Sequence, residues 1–280
     1  GRMDLIQAES VADLIDAESA GAARNAVGQL QGRMSRSVGG IYDALMDVVS
    51  RFYAIVDYPD EEIEPLQQAQ IEQTLAESAE RLDALLATFS RGRLLKSGVP
   101  AVILGKPNAG KSSLLNALLG YDRAIVTDIA GTTRDTVEEK VLVGSVLLRL
   151  CDTAGIRDAA DTVERLGVER AQQAAQRAEL ALLVLDGSAP LTREDEEAIA
   201  AARRARRMLV LVNKADLPQV LDTAALRVRF GEVIPLSARS GAGVDALCRA
   251  VEELFAGGET PRGELLTNAR QAESAQRALD

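Results

Sequence analysis

The sequence predicts an α/β domain with a mostly parallel sheet, inserted into an all-α helical bundle domain. In the first 97 residues, apolar side chains recur at steps of three and four, the spacing of amphipathic helices. Short apolar runs then alternate with helical segments, which is typical of parallel strands covered on both faces. We therefore predict three segments: a first helical part (1–97), the inserted domain (98–258) and a truncated helical continuation (259–280).

The composition is that of a soluble globular protein, with 47% apolar and 26% charged residues among 280. No apolar run approaches the roughly 20 residues that span a bilayer, and no charged-then-apolar leader opens the chain. Cys151 and Cys248 form no motif, so we expect buried structural thiols in a reducing, cytoplasmic compartment. The net charge of −10 argues against a general nucleic-acid surface.

The N-terminal segment predicts a helical hairpin within a bundle. Asp4 and Gln7 have the spacing of a capping box at the start of a helix. One apolar stripe continues from Val27 to Ile55, and the break around Pro59 ends it, because proline disfavours helical geometry in the residue before it. A second helix is predicted from about Glu64 to Ser90.

The elements of the inserted domain follow from its apolar runs. A hairpin is predicted around Gly144-Ser145, and the last helix of the chain is predicted in the helical continuation. The predicted strands are Val99–Leu104, Thr136–Val143, Val146–Asp152, Leu180–Asp186, Met208–Asn213 and Glu232–Leu236. The predicted helices are Lys111–Leu119, Glu164–Ala178, Glu194–Arg206, Val244–Phe255 and Leu265–Leu279.

Residues 105–112 read GKPNAGKS, the P-loop pattern, and they lie between a predicted strand and a predicted helix. The glycines let backbone N–H groups wrap phosphate oxygens, which the helix N-terminus also attracts. Lys111 can reach the β- and γ-phosphates, and the Ser112 hydroxyl can bind Mg²⁺. A chance glycine-rich loop is the competing interpretation, but the strand and helix on either side disfavour it.

Two further segments have the order expected of a nucleotide switch. Asp152-Thr153-Ala154-Gly155 ends a predicted strand, where the carboxylate can hold Mg²⁺ through water and the glycine N–H can sense the γ-phosphate. Upstream, residues 131–135 read GTTRD, and we assign the metal ligand there to Thr133 rather than Thr132. Each segment alone is a weak signal, and their order makes them specific.

Residues 213–216 read NKAD and follow a predicted strand. The Asp216 carboxylate can accept hydrogen bonds from the guanine N1–H and amine, which adenine lacks, giving a discrimination of roughly 1–3 kcal/mol. Asn213 can reach the acceptor edge of the base, and Ser237 and Ala238 can offer backbone N–H groups to its oxygen. A surface turn is the bland alternative.

The motifs above do not identify the residue that positions the attacking water. Many related switches place a glutamine just after DxxG, but here that position is Ile156. The chain has no histidine, so a carboxylate, water or the substrate must act as the base. The nearby carboxylates, each of which could equally be a solvated surface charge, are Asp158, Asp161, Glu164 and Glu169.

Taken together, GKPNAGKS, TDIAGTTRD, DTAG and NKAD resemble the Era/Der/MnmE group of bacterial GTPases. The helical flanks resemble the MnmE (TrmE) family of tRNA modification GTPases, in MDLIQAESVADLID at 3–16, DYPDEEI at 57–63 and LTNARQ at 266–271. The resemblance implies a P-loop NTPase, Ras-like G domain inserted into the helical bundle. The family also has an N-terminal folate-binding domain and a C-terminal cysteine motif, neither of which we expect within these 280 residues.

The resemblance also implies the roles of individual residues. A potassium ion would take the place of an arginine finger, with Asn108, Thr127, Ile129 and Thr132 as its ligands and 127–131 as the loop of its cage. Glu164 would be the catalytic glutamate. The implied GTP-binding set is Asn108, Ala109, Gly110, Lys111, Ser112, Ser113, Thr127, Asp128, Ile129, Ala130, Gly131, Thr132, Thr133, Asp152, Thr153, Ala154, Gly155, Asn213, Lys214, Asp216, Ser237, Ala238 and Arg239.

For the whole protein, the resemblance implies potassium-dependent GTP hydrolysis coupled to modification of the tRNA wobble uridine. The implied partners are MnmG, in a heterotetramer with an MnmE dimer, a second copy whose G domain pairs in the GTP state, and tRNA. One alternative is an Era/Der-like ribosome-assembly GTPase, which the acidic charge and the N-terminal helices disfavour. The other is a helical scaffold whose nucleotide site only switches conformation, without turnover.

Overall fold

The computed structural model describes residues 3–58, 67–121, 139–151, 164–255 and 263–280, with backbone alone for residues 121 and 164–170. The chain divides into two compact units. One joins residues 1–97 to 258–280 and contains helices, and the other spans residues 98–257 and contains a sheet with its helices.

In the helical unit, the described helices are α1 (Leu5–Ile15), α2 (Ala20–Leu30), α3 (Arg33–Asp57), α4 (Gln68–Ala87), α5 (Phe89–Ser97) and α11 (Ala269–Leu279). The predicted capping box of α1 is confirmed, since Gln7 N–H donates to Asp4 Oδ1 at 2.7 Å and Asp4 N–H donates to Gln7 Oε1 at 3.1 Å. The prediction that one apolar stripe continues from Val27 to Ile55 on a single helix is wrong, because two helices cover this range. Gly32, in the left-handed region at φ 76°, separates α2 from α3.

The prediction of a last helix from Leu265 is also wrong, because α11 begins only at Ala269. The backbone before it is bonded to other helices instead of to its own next turn. The Leu265 carbonyl accepts the Gln29 side-chain amide at 2.7 Å, and Leu266 N–H donates to Thr88 Oγ1 at 3.0 Å. Thr88 also separates α4 from α5, a break that apolar periodicity alone did not indicate.

The α/β unit contains a six-stranded sheet in the order β2-β3-β1-β4-β5-β6, and every neighbouring pair except the β2–β3 hairpin is parallel. This confirms the predicted fold class. The strands are β1 (Val99–Leu104), β2 (Glu139–Val143), β3 (Val146–Leu150), β4 (Leu180–Asp186), β5 (Arg207–Asn213) and β6 (Val233–Pro235). The ends predicted for the hairpin at Thr136 and Asp152 lie outside the described residues.

The helices of this unit are α6 (Lys111–Tyr121), α7 (Glu164–Arg177), α8 (Arg193–Ala202), α9 (Thr223–Phe230) and α10 (Val244–Phe255). The sequence did not predict α9, which has eight residues and little amphipathic pattern, but its N-cap Asp222 accepts from Ala224 and Ala225 N–H. The core between the sheet and α7, α8 and α9 is aliphatic, in keeping with the lack of tryptophan. Cys248 is buried on α10, as expected, and Cys151 is half-buried after β3.

The parallel strands β1, β4, β5 and β6 all end at the same edge of the sheet. The P-loop follows β1, Asp186 is the last residue of β4, Asn213 is the last residue of β5, and Ser237 follows β6 closely. Ligands of open α/β sheets bind outside the carboxyl ends of the strands, so this edge is where a ligand is expected. None of the helices in the described ranges is both long enough and apolar enough to cross a membrane.

Candidate functional site

A cavity of about 410 Å³ opens at this edge of the sheet. It brings together three segments that are far apart in the sequence: the P-loop, the NKAD segment and the residues after β6. Its lining residues are Asn108, Gly110, Lys111, Ser112, Ser113, Asn213, Lys214, Asp216, Leu217, Ser237, Ala238 and Arg239. All but Leu217 belong to the GTP-binding set that the resemblance implies.

The P-loop is closed tightly against the end of β5. Gly110 has φ 101°, and a Cβ at this position would lie 2.1 Å from the Asn213 side-chain nitrogen, so only glycine fits. Asn108 also adopts a left-handed conformation, at φ 60°, which asparagine tolerates better than most residues. The Gly110 carbonyl then accepts Leu114 N–H at 2.8 Å, which starts α6 directly at the loop.

Lys111 is held by the loop to which it belongs. Its ammonium donates to the Gly105 and Lys106 carbonyl oxygens, both at 2.8 Å. Burial lowers the pKa of Lys111, because the charged form loses water contacts. An anionic phosphate beside the ammonium would act in the opposite direction and favour the charged form. The structure therefore keeps a partly desolvated cation at the place where the β- and γ-phosphates are expected.

Asn213 joins the other two segments of the cavity. Its buried side chain donates to the Ala109 carbonyl at 2.8 Å, and its Oδ1 accepts Ala238 N–H at 2.9 Å. Ser237 N–H is also used within the protein, since it donates to the Ala242 carbonyl at 2.8 Å. The sequence missed this linking role of Asn213. The predicted donation by Ser237 and Ala238 N–H to guanine stays a prediction. Both N–H groups donate to protein oxygens here, and each would have to give up that bond to reach the base.

The side chain of Asp216 lines the cavity as an ionised carboxylate. The hydroxyl of the buried Ser237 donates to it and lowers its pKa, and further lowering comes from its own backbone N–H and from Arg239 and Lys214. The group is fully exposed, so nothing in the described structure blocks a ligand from its free lone pairs. A carboxylate that is oriented, ionised and accessible can accept two parallel N–H donors, the pattern that guanine offers.

Asp186 holds one of the lining residues, Lys214, in place, and the sequence reasoning missed it. Its Oδ2 accepts the Lys214 ammonium at 2.6 Å, and its Oδ1 accepts the Ser188 N–H and hydroxyl at 3.0 and 2.7 Å. Burial alone would raise the pKa of Asp186, but the bonds from Lys214 and Ser188 outweigh it and lower the pKa. A carboxylate at the end of a buried parallel strand was the available signal.

The remaining predicted residues fall into three groups. Ala109 is buried behind the cavity and contributes its carbonyl to Asn213. Glu164 is the first residue of α7, and only its backbone is described. The predicted ligands that lie outside the described residues are Thr127, Asp128, Ile129, Ala130, Gly131, Thr132, Thr133, Asp152, Thr153, Ala154 and Gly155.

The two metal ligands that are described have suitable chemistry. Ser112 and Asn108 are exposed in the cavity, and a hydroxyl and an amide oxygen are hard ligands that suit Mg²⁺ and K⁺. Among the described residues, no group of three or more Asp, Glu, Cys or His side chains could hold a metal by itself. Any cation here would therefore share its coordination with phosphate oxygens or with the segments outside the described residues.

A family model of the MnmE helical domain matches residues 5–280. The chain belongs to the MnmE helical-domain family. Over its whole length it is 43% identical to the tRNA modification GTPase MnmE of Lacticaseibacillus paracasei, 41% identical to that of Geobacillus thermodenitrificans and 42% identical to that of Chromobacterium violaceum. It spans 62% of the length of each of these family members.

Among solved structures, the G domain of the T. maritima FeoB iron transporter matches 57% of this chain and 99% of its own. The sequences are 22% identical and the TM-score is 0.41. A similarity this distant says nothing about function. The family assignment depends instead on the model of the helical domain and on the curated relatives that match this chain over its whole length.

Proposed function

We propose that this chain binds GTP and hydrolyses it to GDP and phosphate, as the GTPase part of a tRNA modification protein. The observation that carries the proposal is one cavity in which the P-loop lysine and an ionised, accessible Asp216 lie beyond the carboxyl ends of β1 and β5, two parallel strands on either side of β4. The name shared by the curated relatives, tRNA modification GTPase MnmE, supports the same conclusion.

The base is selected by Asp216 and the phosphates are held by the P-loop. The carboxylate would accept the N1–H and the exocyclic amine of guanine, whereas adenine offers it neither donor. At the other end, Lys111 would turn its ammonium toward the β- and γ-phosphate oxygens and keep part of its bonding to the loop carbonyls. The N-terminus of α6 and the loop N–H groups add positive potential there.

Hydrolysis requires water to attack the γ-phosphorus while the bond to the β-phosphate oxygen breaks. We propose that Glu164 orients this water and that Ser112 and Thr133, with Asp152 through a water molecule, would hold Mg²⁺. Asn108, with Thr127, Ile129 and Thr132, would hold K⁺. Bound cations of this kind neutralise the negative charge that develops on the phosphate oxygens. The left-handed, exposed Asn108 next to the phosphate-binding turn fits this role.

In the whole protein, we propose that GTP hydrolysis drives the modification of the tRNA wobble uridine, together with MnmG, in the cytoplasm. Two copies would pair their G domains in the GTP state, and tRNA would bind through the complex. These proposals extend beyond the chain, because it spans 62% of its curated relatives.

The test is GTP turnover by this chain in potassium and in sodium buffer at equal ionic strength. We expect turnover to be at least about tenfold faster in potassium, because the ion supplies charge that would otherwise come from an arginine finger. The variant Asn108→Ala should lose the stimulation and keep its affinity for GDP within a few-fold. Equal turnover in both salts would contradict the potassium site, and no turnover in either would contradict hydrolysis by the chain.

A further inference from the structure

A buried ion pair fixes the P-loop from outside the nucleotide motifs. Lys106 occupies a variable position of the P-loop pattern, and its Nζ lies 2.8 Å from Asp195 Oδ2. Both side chains are buried, at 11% and 1% exposure, although the two residues are 89 positions apart in the sequence. Asp195 belongs to α8, which contributes no residue to the lining of the cavity.

Asp195 is fixed by the start of its own helix. Its Oδ2 accepts the Thr192 N–H at 2.8 Å and the Thr192 hydroxyl at 2.9 Å, in the capping box of α8. Its Oδ1 is buried and has no hydrogen-bond partner within the described residues. A buried carboxylate that is not fully satisfied is costly without a nearby cation, and Lys106 supplies that cation at 2.8 Å.

Lys106 connects Asp195 to Lys111, the lysine of the P-loop. While its side chain is held by Asp195, its carbonyl accepts the Lys111 ammonium at 2.8 Å and Ala109 N–H at 3.3 Å. The position of one of the two oxygens that hold the Lys111 ammonium therefore depends on α8.

We propose that Asp195 is a positioning residue that acts through Lys106 to place Lys111 against the β-phosphate of the nucleotide. The inference rests on the proposed function and deepens it. A misplaced loop would weaken the interaction of Lys111 with the β-phosphate without disturbing recognition of the base by Asp216. The signature is thus a loss of affinity for GDP that is much larger than the loss for GMP, which has no β-phosphate.

The experiment measures the dissociation constants of GDP and GMP by calorimetry for the wild-type chain and its variants. In Asp195→Asn and in Lys106→Met, affinity for GDP should fall about 10- to 100-fold, the range for a hydrogen bond to a charged group. Affinity for GMP should change less than about threefold. Lys106→Arg retains a cation and should rescue GDP affinity. The double variant should lose no more than the larger single loss, because the residues act as one unit.

Thr192→Val is the matched control, because it removes one bond to the same carboxylate and leaves the ion pair in place. It should lower the melting temperature slightly and leave the ratio of GDP to GMP affinity unchanged. Equal losses for GDP and GMP in Lys106→Met would mean that the pair is only structural and would overturn the proposal. If Asp195→Asn does not fold, Lys106→Met, Lys106→Arg and Thr192→Val still test the proposal. A wild-type chain that binds GDP no more tightly than GMP or ADP would instead count against the proposed function.

Discussion

The base end and the phosphate end of the cavity are built differently. At the base end, Asn213, Ser237 and Asp216 are bonded to protein groups that hold them in place before any ligand arrives. At the phosphate end, Lys111 is bonded to carbonyls that it must partly give up, and Ser112 is exposed. On the proposed function, guanine recognition would be preorganised within the described residues, whereas hydrolysis would need groups beyond them.

The largest effect should come from removing the glutamate at the phosphate end. In Glu164→Ala we expect GTP turnover to fall about 10²- to 10⁴-fold, the usual contribution of a group that positions or activates water. Affinity for GTP should stay within about twofold, since the base end is untouched. Single-turnover hydrolysis and equilibrium binding measure the two quantities separately.

Glu169→Ala, on the same helix α7, is the matched control and should turn over like the wild type. If Glu164→Ala loses binding together with turnover, the residue is structural and the division between the two ends of the cavity fails there.

An intermediate effect is expected from Asn213, which joins the two ends. Asn213→Ala leaves the Ala109 carbonyl and the Ala238 N–H without their buried partner. We expect the free energy of unfolding to fall by about 1–3 kcal/mol and affinity for GDP to fall about 10- to 100-fold. Chemical denaturation and calorimetry check these values. Unchanged stability would mean that water replaces the side chain and that the two ends are independent.

The smallest effect is expected from Ser237, whose hydroxyl also accepts Ser240 N–H at 3.3 Å. Its hydroxyl lowers the pKa of Asp216, so Ser237→Ala should raise that pKa. Guanine requires the ionised carboxylate. Binding should therefore be lost at a higher pH in the variant than in the wild type as the pH is lowered through the pKa of Asp216. Near pH 7 we expect a loss of affinity for GDP of only about three- to tenfold. A pH profile of GDP affinity that is the same for both proteins would contradict this account of Asp216.

Much of the α/β unit could be predicted from the sequence, because its signals are local. Leu180–Asp186 is a continuous apolar run that forms a buried strand with the predicted bounds, and the stripe of Val244–Phe255 predicted its helix equally well. The helical unit was less predictable. Its breaks at Gly32 and Thr88 interrupt stripes whose periodicity continues through them. The segment from Leu265 is kept out of the helix by bonds to distant residues.

In the candidate site, too, local signals in the sequence were predictive and long-range contacts were not. Motifs identified the groups that touch a nucleotide, such as Lys111 and Asp216, because their chemistry demands fixed spacing in the sequence. They did not identify the groups that hold these in place. The bonds of Asn213 to Ala109 and Ala238, and of Asp195 to Lys106, join residues 104, 25 and 89 positions apart. No local pattern can reveal such pairs before the fold brings them together.

The central claim, that Asp216 selects guanine, is tested most directly by binding GDP and xanthosine diphosphate to the wild type and to Asp216→Asn. Xanthine carries an oxygen where guanine carries its amine, so an asparagine amide can donate to it where the aspartate could only accept. We predict that the variant loses at least about tenfold in affinity for GDP and gains a comparable factor for xanthosine diphosphate. If the variant weakens both nucleotides equally, or neither, Asp216 does not read the base.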